Sequence, residues 1–400
     1  MRKWQNLTVM SITPPVALFD TLAHWQDTKI NSLHAQDHQY AKDFIYSYRG
    51  SKATFSAYRR EIERFLQWAW HIANTSIKNV KRSDIENFID FCQHPPESWI
   101  AKKNVARFTN HQGQRQAASA WRPFVIRPNV EHYQLSEKAL RAVFAVLGSF
   151  YNYLIQEDYI AYNPVSQIRQ KSRYFRKKQS KTVIRRLTEL QWSYVIETAE
   201  LMAAQDPEKH ERTLFIMNAL FGMYLRISEL AANENWQPQM GDFKRDLDGH
   251  WWFTTVGKGN KERDISVSDA MLSALKRYRK SLGLAPSPTL GESTPLITTL
   301  NHKGAITSTR HIRLIVQHCF DQTCERLRQD GFTEETEQLQ AATVHWIRHT
   351  GISEDVKHRP REHVRDDAGH SSSLITDKYI DIEKRARHAS AKKKVIKPID

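Results

Sequence analysis

Six residues spread over the second half of this 400-residue chain have the side-chain types needed to move a phosphoryl group: Arg226, Lys258, His345, Arg348, His370 and Tyr379. In-line attack on a phosphodiester passes through a pentacovalent phosphorus with extra negative charge on its non-bridging oxygens, so such a site needs fixed cations aimed there. Arg226 and Arg348 suit that task, because a planar guanidinium gives bidentate hydrogen bonds and never deprotonates. His345 and His370 offer donors or a proton acceptor near neutral pH. A tyrosine phenol, with a pKa of ~10, becomes a competent nucleophile when a neighbouring base and cations favour its oxyanion, which is the role open to Tyr379. Lys258, in the turn Gly257-Lys258-Gly259-Asn260, can deliver a proton to a leaving oxygen. Glu229, one helical turn after Arg226, can orient that arginine or the imidazoles.

Each residue also has a plainer reading. Tyr379 could be a core or surface tyrosine, Lys258 a solvated hairpin tip, and Arg226 a partner for the dipole at a helix C-terminus. His345 and His349, at i and i+4, could hold zinc, but the glutamate of a His-Glu-x-x-His motif is missing and no third ligand is evident. Neither a metal nor a cofactor is expected. Arginines in place of metal ions leave no need for Mg²⁺, and a phosphotyrosine bond would conserve the phosphodiester energy without ATP.

Composition narrows the partner. Lysine and arginine number 59 against 44 acidic residues, a formal charge of +15, so the expected partner is polyanionic. No stretch approaches the ~18 apolar residues of a membrane helix. Asn6, Thr8, Ser11, Thr13, Pro14 and Pro15 interrupt any signal-peptide core, so the chain is expected to stay in the cytoplasm where it is made. Three cysteines, Cys92, Cys319 and Cys324, suggest neither a disulfide framework nor a Cys-x-x-Cys site.

The elements that must position the six residues follow from periodicity. No repeat is present. Apolar residues from Phe55 to Ala69, behind Ser51, give one amphipathic helix; Ser136 opens another, with Leu140, Val143, Phe144, Leu147, Phe150, Tyr151 and Leu154 on one face; a shorter helix covers Ser83 to Cys92. Residues 41–168 therefore read as an all-α domain behind a 1–40 extension, in which Trp4 and Trp25 could pack back. Periodicity fails over about 93–134, where Lys102, Lys103, Arg107, Arg115, Arg122 and Arg127 make a basic insertion, either a solvated loop or an extra DNA-contacting element. Residues 169–186 form a basic interdomain linker with no acidic residue, in which Arg169, Lys171, Arg173, Arg176, Lys177, Lys178 and Lys181 are expected to lie along phosphates. Beyond it, Thr188-Glu189-Leu190-Gln191 has the form of a capping box, and helices are expected to Ala203 and from Glu211 to Met223. Trp251 to Val256 and Asp264 to Val267 pair as a hairpin, with Met240 to Arg245 a candidate third strand, and helices resume over Ala270 to Leu282 and from Ile312 to Leu327. Residues 187–385 thus read as an α+β domain with a small antiparallel sheet, followed by a basic tail, 386–400.

Five separated blocks resemble the tyrosine recombinases, the phage-type integrases. Tyr224-Leu225-Arg226-Ile227-Ser228-Glu229-Leu230 is similar to the block of the family's first catalytic arginine, and Gly257-Lys258-Gly259-Asn260-Lys261-Glu262-Arg263 to that of its β-hairpin lysine. His345-Trp346-Ile347-Arg348-His349-Thr350 resembles the His-x-x-Arg-His box, Gly369-His370-Ser371-Ser372 the Gly-His-Ser-Ser block, and Thr376-Asp377-Lys378-Tyr379 the segment ending in the nucleophile. The resemblance covers about residues 50 to 385 and keeps the family's order. It implies a mainly α protein, with an N-terminal core-binding (SAM-like) helical domain and a C-terminal α+β catalytic domain. The implied activity is site-specific DNA strand breakage and rejoining through a 3′-phosphotyrosine, serving integration or excision of a mobile element. A type IB topoisomerase or resolvase, or a non-catalytic DNA-binding protein of the same fold, are the alternatives. Double-stranded DNA, a homo-tetramer on that DNA, and accessory DNA-bending or partner recombinase proteins are the implied partners. Two features depart from the family pattern: Asp366-Asp367-Ala368 stands where apolar residues usually precede the Gly-His, and the 93–134 insertion is long.

Overall fold

The structure is a computed structural model, describing residues 14–25, 34–111, 114–126, 130, 132–166, 168, 185–257, 259–301, 304–370 and 391–392. Lys258, Tyr379, the seven linker cations Arg169, Lys171, Arg173, Arg176, Lys177, Lys178 and Lys181, and nearly all of the 386–400 tail lie outside the described residues. The chain divides into two compact units, residues 1–179 and 180–400.

Among the described residues, the first unit is built on four α-helices: α1 (Ala35–Ser47), α2 (Lys52–His71), α3 (Arg82–Gln93) and α4 (Glu137–Gln156). Ser51 and Ser136 cap α2 and α4 by accepting from the amides of Thr54 and Ala139, the local side-chain signal that makes a helix start legible. Their apolar stripes meet in a core rich in aromatic rings, with Phe44, Phe65, Trp68, Phe88, Phe150 and Tyr151 all buried; each such side chain contributes about 1.5–3 kcal/mol on burial. Helix α1 has no counterpart among the helices expected from sequence. Its buried Asp37 is a hub, accepting from Trp70 Nε1 at 3.1 Å, Ser76 Oγ at 2.8 Å, the Ile77 amide at 3.0 Å and Tyr159 Oη at 2.9 Å. Burial, with Asp37 beside it, pushes the Tyr159 phenol up to about 12, so it remains a donor. Trp25 packs back on the unit, stacked on Phe19 and edge-on to Phe55.

The insertion is folded, not a plain loop. Strands β1 (Ile100–Ala101) and β4 (Phe124–Val125) pair in parallel, and β2 (Phe108–His111) with β3 (Gln114–Ala117) form a hairpin in the register Phe108↔Ala117 to His111↔Gln114. Phe108, Trp121, Ala118 and Ala17 make a small core beneath it. Arg107 is paired with the fully buried Glu63, and Arg115 with Asp20. Arg64 donates to the Pro123 carbonyl at 2.8 Å and lies over the Phe124 ring. Two of the insertion's cations are therefore committed within the unit, and Lys102 and Lys103 stay exposed.

The second unit holds α5 (Glu189–Gln205), α6 (Pro207–Gly222), the single turn α7 (Ile227–Leu230), the sheet β5 (Phe243–Arg245), β6 (Trp251–Val256), β7 (Glu262–Ser266), then α8 (Asp269–Ser281), α9 (Thr309–Gln329), α10 (Thr333–Gln340), α11 (Val344–Asp355) and α12 (Arg361–Ala368). The Thr188–Gln191 capping box forms in both directions, at 3.1 and 3.0 Å. The sheet is antiparallel in the order β5-β6-β7, with Phe253↔Ile265 and Val256↔Glu262 in register. Residues Met240–Asp242, the start of the candidate third strand, form a 3-10 turn instead. Cys319 and Cys324 are free and buried on α9. Among the described residues, no helix is long and apolar enough to cross a membrane.

Replacing Asp37 by alanine leaves four donors around a buried hole, and unsatisfied buried donors cost about 1–3 kcal/mol each. Urea unfolding of the full chain is expected to show the N-terminal transition weakened by roughly 3 kcal/mol, with Asp37→Asn less affected; a loss below about 1 kcal/mol would mean that the hub is not structural.

Candidate active site

The site is assembled at the end of α12. Successive carbonyls there each accept from a different arginine: Asp367 O from Arg263 Nε at 3.0 Å, Ala368 O from Arg348 Nη2 at 2.6 Å, and Gly369 O from Arg226 Nη2 at 3.3 Å. The last carbonyls of a helix have no partners of their own and sit at the negative end of its dipole, so cations are their natural donors. Gly369 then turns the chain in a left-handed conformation, φ 62°, and a Cβ there would approach Arg263 Cδ to 2.8 Å. That turn sets His370 Nε2 3.4 Å from Arg348 Nη2.

Each arginine is fixed from a second side. α6 ends at Gly222, and Tyr224, at φ 50°, redirects the chain so that Arg226 becomes the N-cap of α7. Glu229, 1% exposed, accepts from the Arg226 amide at 2.8 Å and from its Nη1 at 2.9 Å, and takes a bidentate fork from Arg263 at 2.9 Å on both oxygens. Burial works against its charge, but Arg263, foremost, and Arg226 outweigh it and hold its carboxyl below the ordinary range. Glu229 thus orients two arginines. Arg348, buried on α11, also donates to the Tyr224 carbonyl. The approach requires Gly351: a Cβ there would lie 2.1 Å from the Phe221 carbonyl oxygen of α6.

His345 and His349 project from the α11 turn that carries Arg348, with ring centroids 5.5 Å apart. Among the described residues, the grouping of metal-ligating side chains close enough to hold a cation is Asp246, Asp248 and His250, exposed at the β5–β6 turn and apart from these imidazoles. All three site histidines have lowered pKa values. Burial is the largest cause for each, followed by Arg348 and Arg226 for His345 and His370, and by His345 and Arg348 for His349; His349 and His370 fall to about 4. They are neutral at pH 7, hence able to accept a proton.

The structure therefore brings Arg226, Glu229, Arg348 and His370 together, with His345 on the α11 turn that carries Arg348. Lys258 and Tyr379 lie outside the described residues, but Gly257 beside Lys258 abuts the cluster: a Cβ there would lie 2.9 Å from Arg263 Nη1, 3.2 Å from Glu229 Oε1 and 3.5 Å from Arg226 Nη1. Arg263 is a site residue that sequence reasoning passed over, although it closes the Gly257-to-Arg263 block.

Because His349 and His370 bind protons near 6.5 when unfolded and only near 4 when folded, the unfolded chain takes up protons first as pH falls, and their contribution is complete above pH 6.5 and lost toward pH 4. The unfolding midpoint of the DNA-free protein is expected to fall from pH 6.5 to about 5, before Glu229 titrates, and the fall to flatten in the His349→Asn, His370→Gln double variant. A wild-type midpoint constant over that window would contradict the burial of these imidazoles.

Residues 38–109 match the family model described as phage integrase, N-terminal SAM-like domain. The tyrosine recombinase XerC of Thermodesulfovibrio yellowstonii is 26% identical over 245 residues, 59% of this chain and 66% of that protein, and the XerC of Chlorobaculum parvum is 22% identical over 41% of this chain and 49% of its own. The chain spans less than two thirds of the length of these relatives. Among solved structures, a XerH site-specific recombinase bound to palindromic difH substrate superposes with a TM-score of 0.56 at 14% identity, covering 90% of both chains. A lambda integrase dimer bound to a COC′ core site gives 0.53 at 12% identity, over 93% of this chain and 85% of that one. With a matching SAM-like domain over residues 38–109 and a shared fold, the chain is similar to the tyrosine recombinases, the phage-type integrases.

Proposed function

We propose that the chain is a site-specific DNA recombinase that breaks and rejoins strands through a 3′-phosphotyrosine, serving integration or excision of a mobile element. The observation that supports this best is the meeting of Arg226, Arg348 and His370, distant in sequence, on the last carbonyls of α12. On this reading Tyr379 Oη attacks phosphorus and the P–O5′ bond breaks; the phenolic proton passes to a neutral imidazole, His345 being suited to it, while Lys258 protonates the departing O5′. Arg226 and Arg348 hold the non-bridging oxygens, with their remaining donors pre-aimed by carbonyls and Glu229. Residues 41–168 are the core-binding domain, the linker cations Arg169 to Lys181 contact phosphates, and 187–385 is the catalytic domain. Recombination cuts four strands, so four protomers on DNA form the working assembly, coupled head to tail in a closed ring.

The test uses a nicked suicide duplex whose core is first selected from a random library by binding to the Tyr379→Phe protein. Wild type is expected to leave a covalent adduct, and Tyr379→Phe to bind equally without one. An adduct that persists in Tyr379→Phe removes that residue from the mechanism. Binding without an adduct in wild type favours a DNA-binding protein of the same fold, and an adduct without strand exchange between marked duplexes favours a topoisomerase-like activity.

Lys258→Ala is expected to slow cleavage by ~10² to 10⁴, the usual worth of general acid catalysis. A duplex with sulfur at the 5′-bridging position has a leaving group that needs no proton and should recover most of that loss; without recovery, Lys258 acts as a phosphate-binding cation.

A further inference from the structure

Asp367 occupies one of the positions where this chain departs from the family pattern, and its side chain is not idle. It is 5% exposed. Oδ1 accepts from the Ser266 amide at 3.1 Å; Oδ2 accepts from Ser266 Oγ and from Arg359 Nη2, both at 2.6 Å. Arg359 spans the gap, donating from Nη1 to Tyr224 Oη at 3.0 Å and to Asp355 Oδ2 at 3.1 Å, and from Nη2 to Ser266 Oγ at 2.9 Å. Tyr224 Oη is itself bonded to Asp355. One polar network thus joins the end of β7, the end of α11, the turn before Arg226 and the last turn of α12.

The backbone of the same residues holds the site. The Asp367 carbonyl takes Arg263, the next two take Arg348 and Arg226, and the Tyr224 carbonyl takes Arg348. We propose that the Asp367 carboxylate, through Arg359 and Ser266, is a positioning residue that sets the end of α12 and so aims Arg226, Arg348 and His370 at the scissile phosphate. This deepens the recombinase reading and rests on it. An apolar side chain at 367 could fill the volume but would leave the Ser266 amide and Arg359 without this acceptor. Buried ion pairs add little net stability over apolar packing; what they add here is direction, since three donors fix the carboxylate in angle as well as distance. Direction matters because a displacement of about 1 Å of a catalytic group can cost 10²-fold in rate.

The test compares wild type with Asp367→Asn, which keeps the volume but loses the charge that Arg359 faces. Three quantities are read on the full chain: affinity for the selected duplex, single-turnover cleavage at saturating duplex, and titration of His370 by NMR with ¹³Cε1-labelled histidine, assigned through His370→Gln. The charged and titratable groups facing His370 are Arg348, Arg226, His349 and Arg263. Asp367→Asn is expected to bind within twofold of wild type, to cleave ten- to a hundredfold more slowly, and to raise the His370 midpoint as the imidazole leaves those cations. Arg359→Ala should act alike, and the double variant should be no worse than either single, as for residues in one network. A lowered unfolding temperature with unchanged cleavage and unchanged His370 titration would reduce Asp367 to a stability role and overturn the proposal. If wild type forms no adduct, the recombinase reading fails, while the titration still decides whether Asp367 places His370. Should Asp367→Asn not fold, Ser266→Ala removes one of its donors and is judged by the same readouts.

Discussion

The C-terminal end of α12 is the constraint on which the second unit depends. Three guanidinium groups, from Arg226, Arg263 and Arg348, converge there, and like charges at such distances repel unless something between them is negative. Two things are: the fully ionised Glu229, shared by Arg226 and Arg263, and three successive carbonyls of α12, one for each arginine. The carbonyls carry only partial charge, and Glu229 supplies the full one. The rest of the local architecture meets the geometric demands of that meeting point. β7 delivers Arg263, the left-handed Tyr224 delivers Arg226, and the close passage of α11 at Gly351 delivers Arg348.

Such a site cannot be built from one stretch of chain. Its members come from α7, β7, α11 and the end of α12, and each of its three arginines is held by a backbone carbonyl of another element, so displacing one shifts the others. This makes rigid positioning cheap: a carbonyl at a helix end is fixed by its whole helix, whereas a side-chain acceptor needs its own support. It also explains why Asp367 could take an apolar position. In a layer already dense with arginine, a buried carboxylate finds donors from Ser266 and Arg359 and costs far less than it would in an apolar core.

What the sequence made legible was local. Ser51, Ser136 and Thr188 announce their helices because a cap bonds to an amide three residues away, and the β6–β7 pairing follows from two runs of β-formers around a glycine turn. Helix α1 went unread because Gln36, Asp37, His38 and Gln39 crowd its first turns, and the reason Asp37 is tolerated, four donors drawn from Trp70 to Tyr159, is not local. The insertion misled in the same way: Arg107 and Arg115 read as free cations, while their partners Glu63 and Asp20 lie far back in the chain. The blocks around Arg226, Arg348 and His370 were legible as types and order, but not Arg263, Arg359 and Asp367, whose work depends on contacts across elements.

The electrostatics and the proposed chemistry are two views of one field. Burial and Arg348 depress His345, His349 and His370, with Arg226 adding to this at His345 and His370, and on the proposed reading the same two arginines hold the incoming phosphate. Binding an anion there must therefore weaken the force that depresses the histidines, and by linkage a proton on an imidazole must strengthen the hold on the anion. A free site with charged arginines thus holds its imidazoles neutral but below the range in which a general base works best at neutral pH. On the proposed reading, a bound phosphate offsets the arginines and brings the imidazoles back toward the range where they can act as bases.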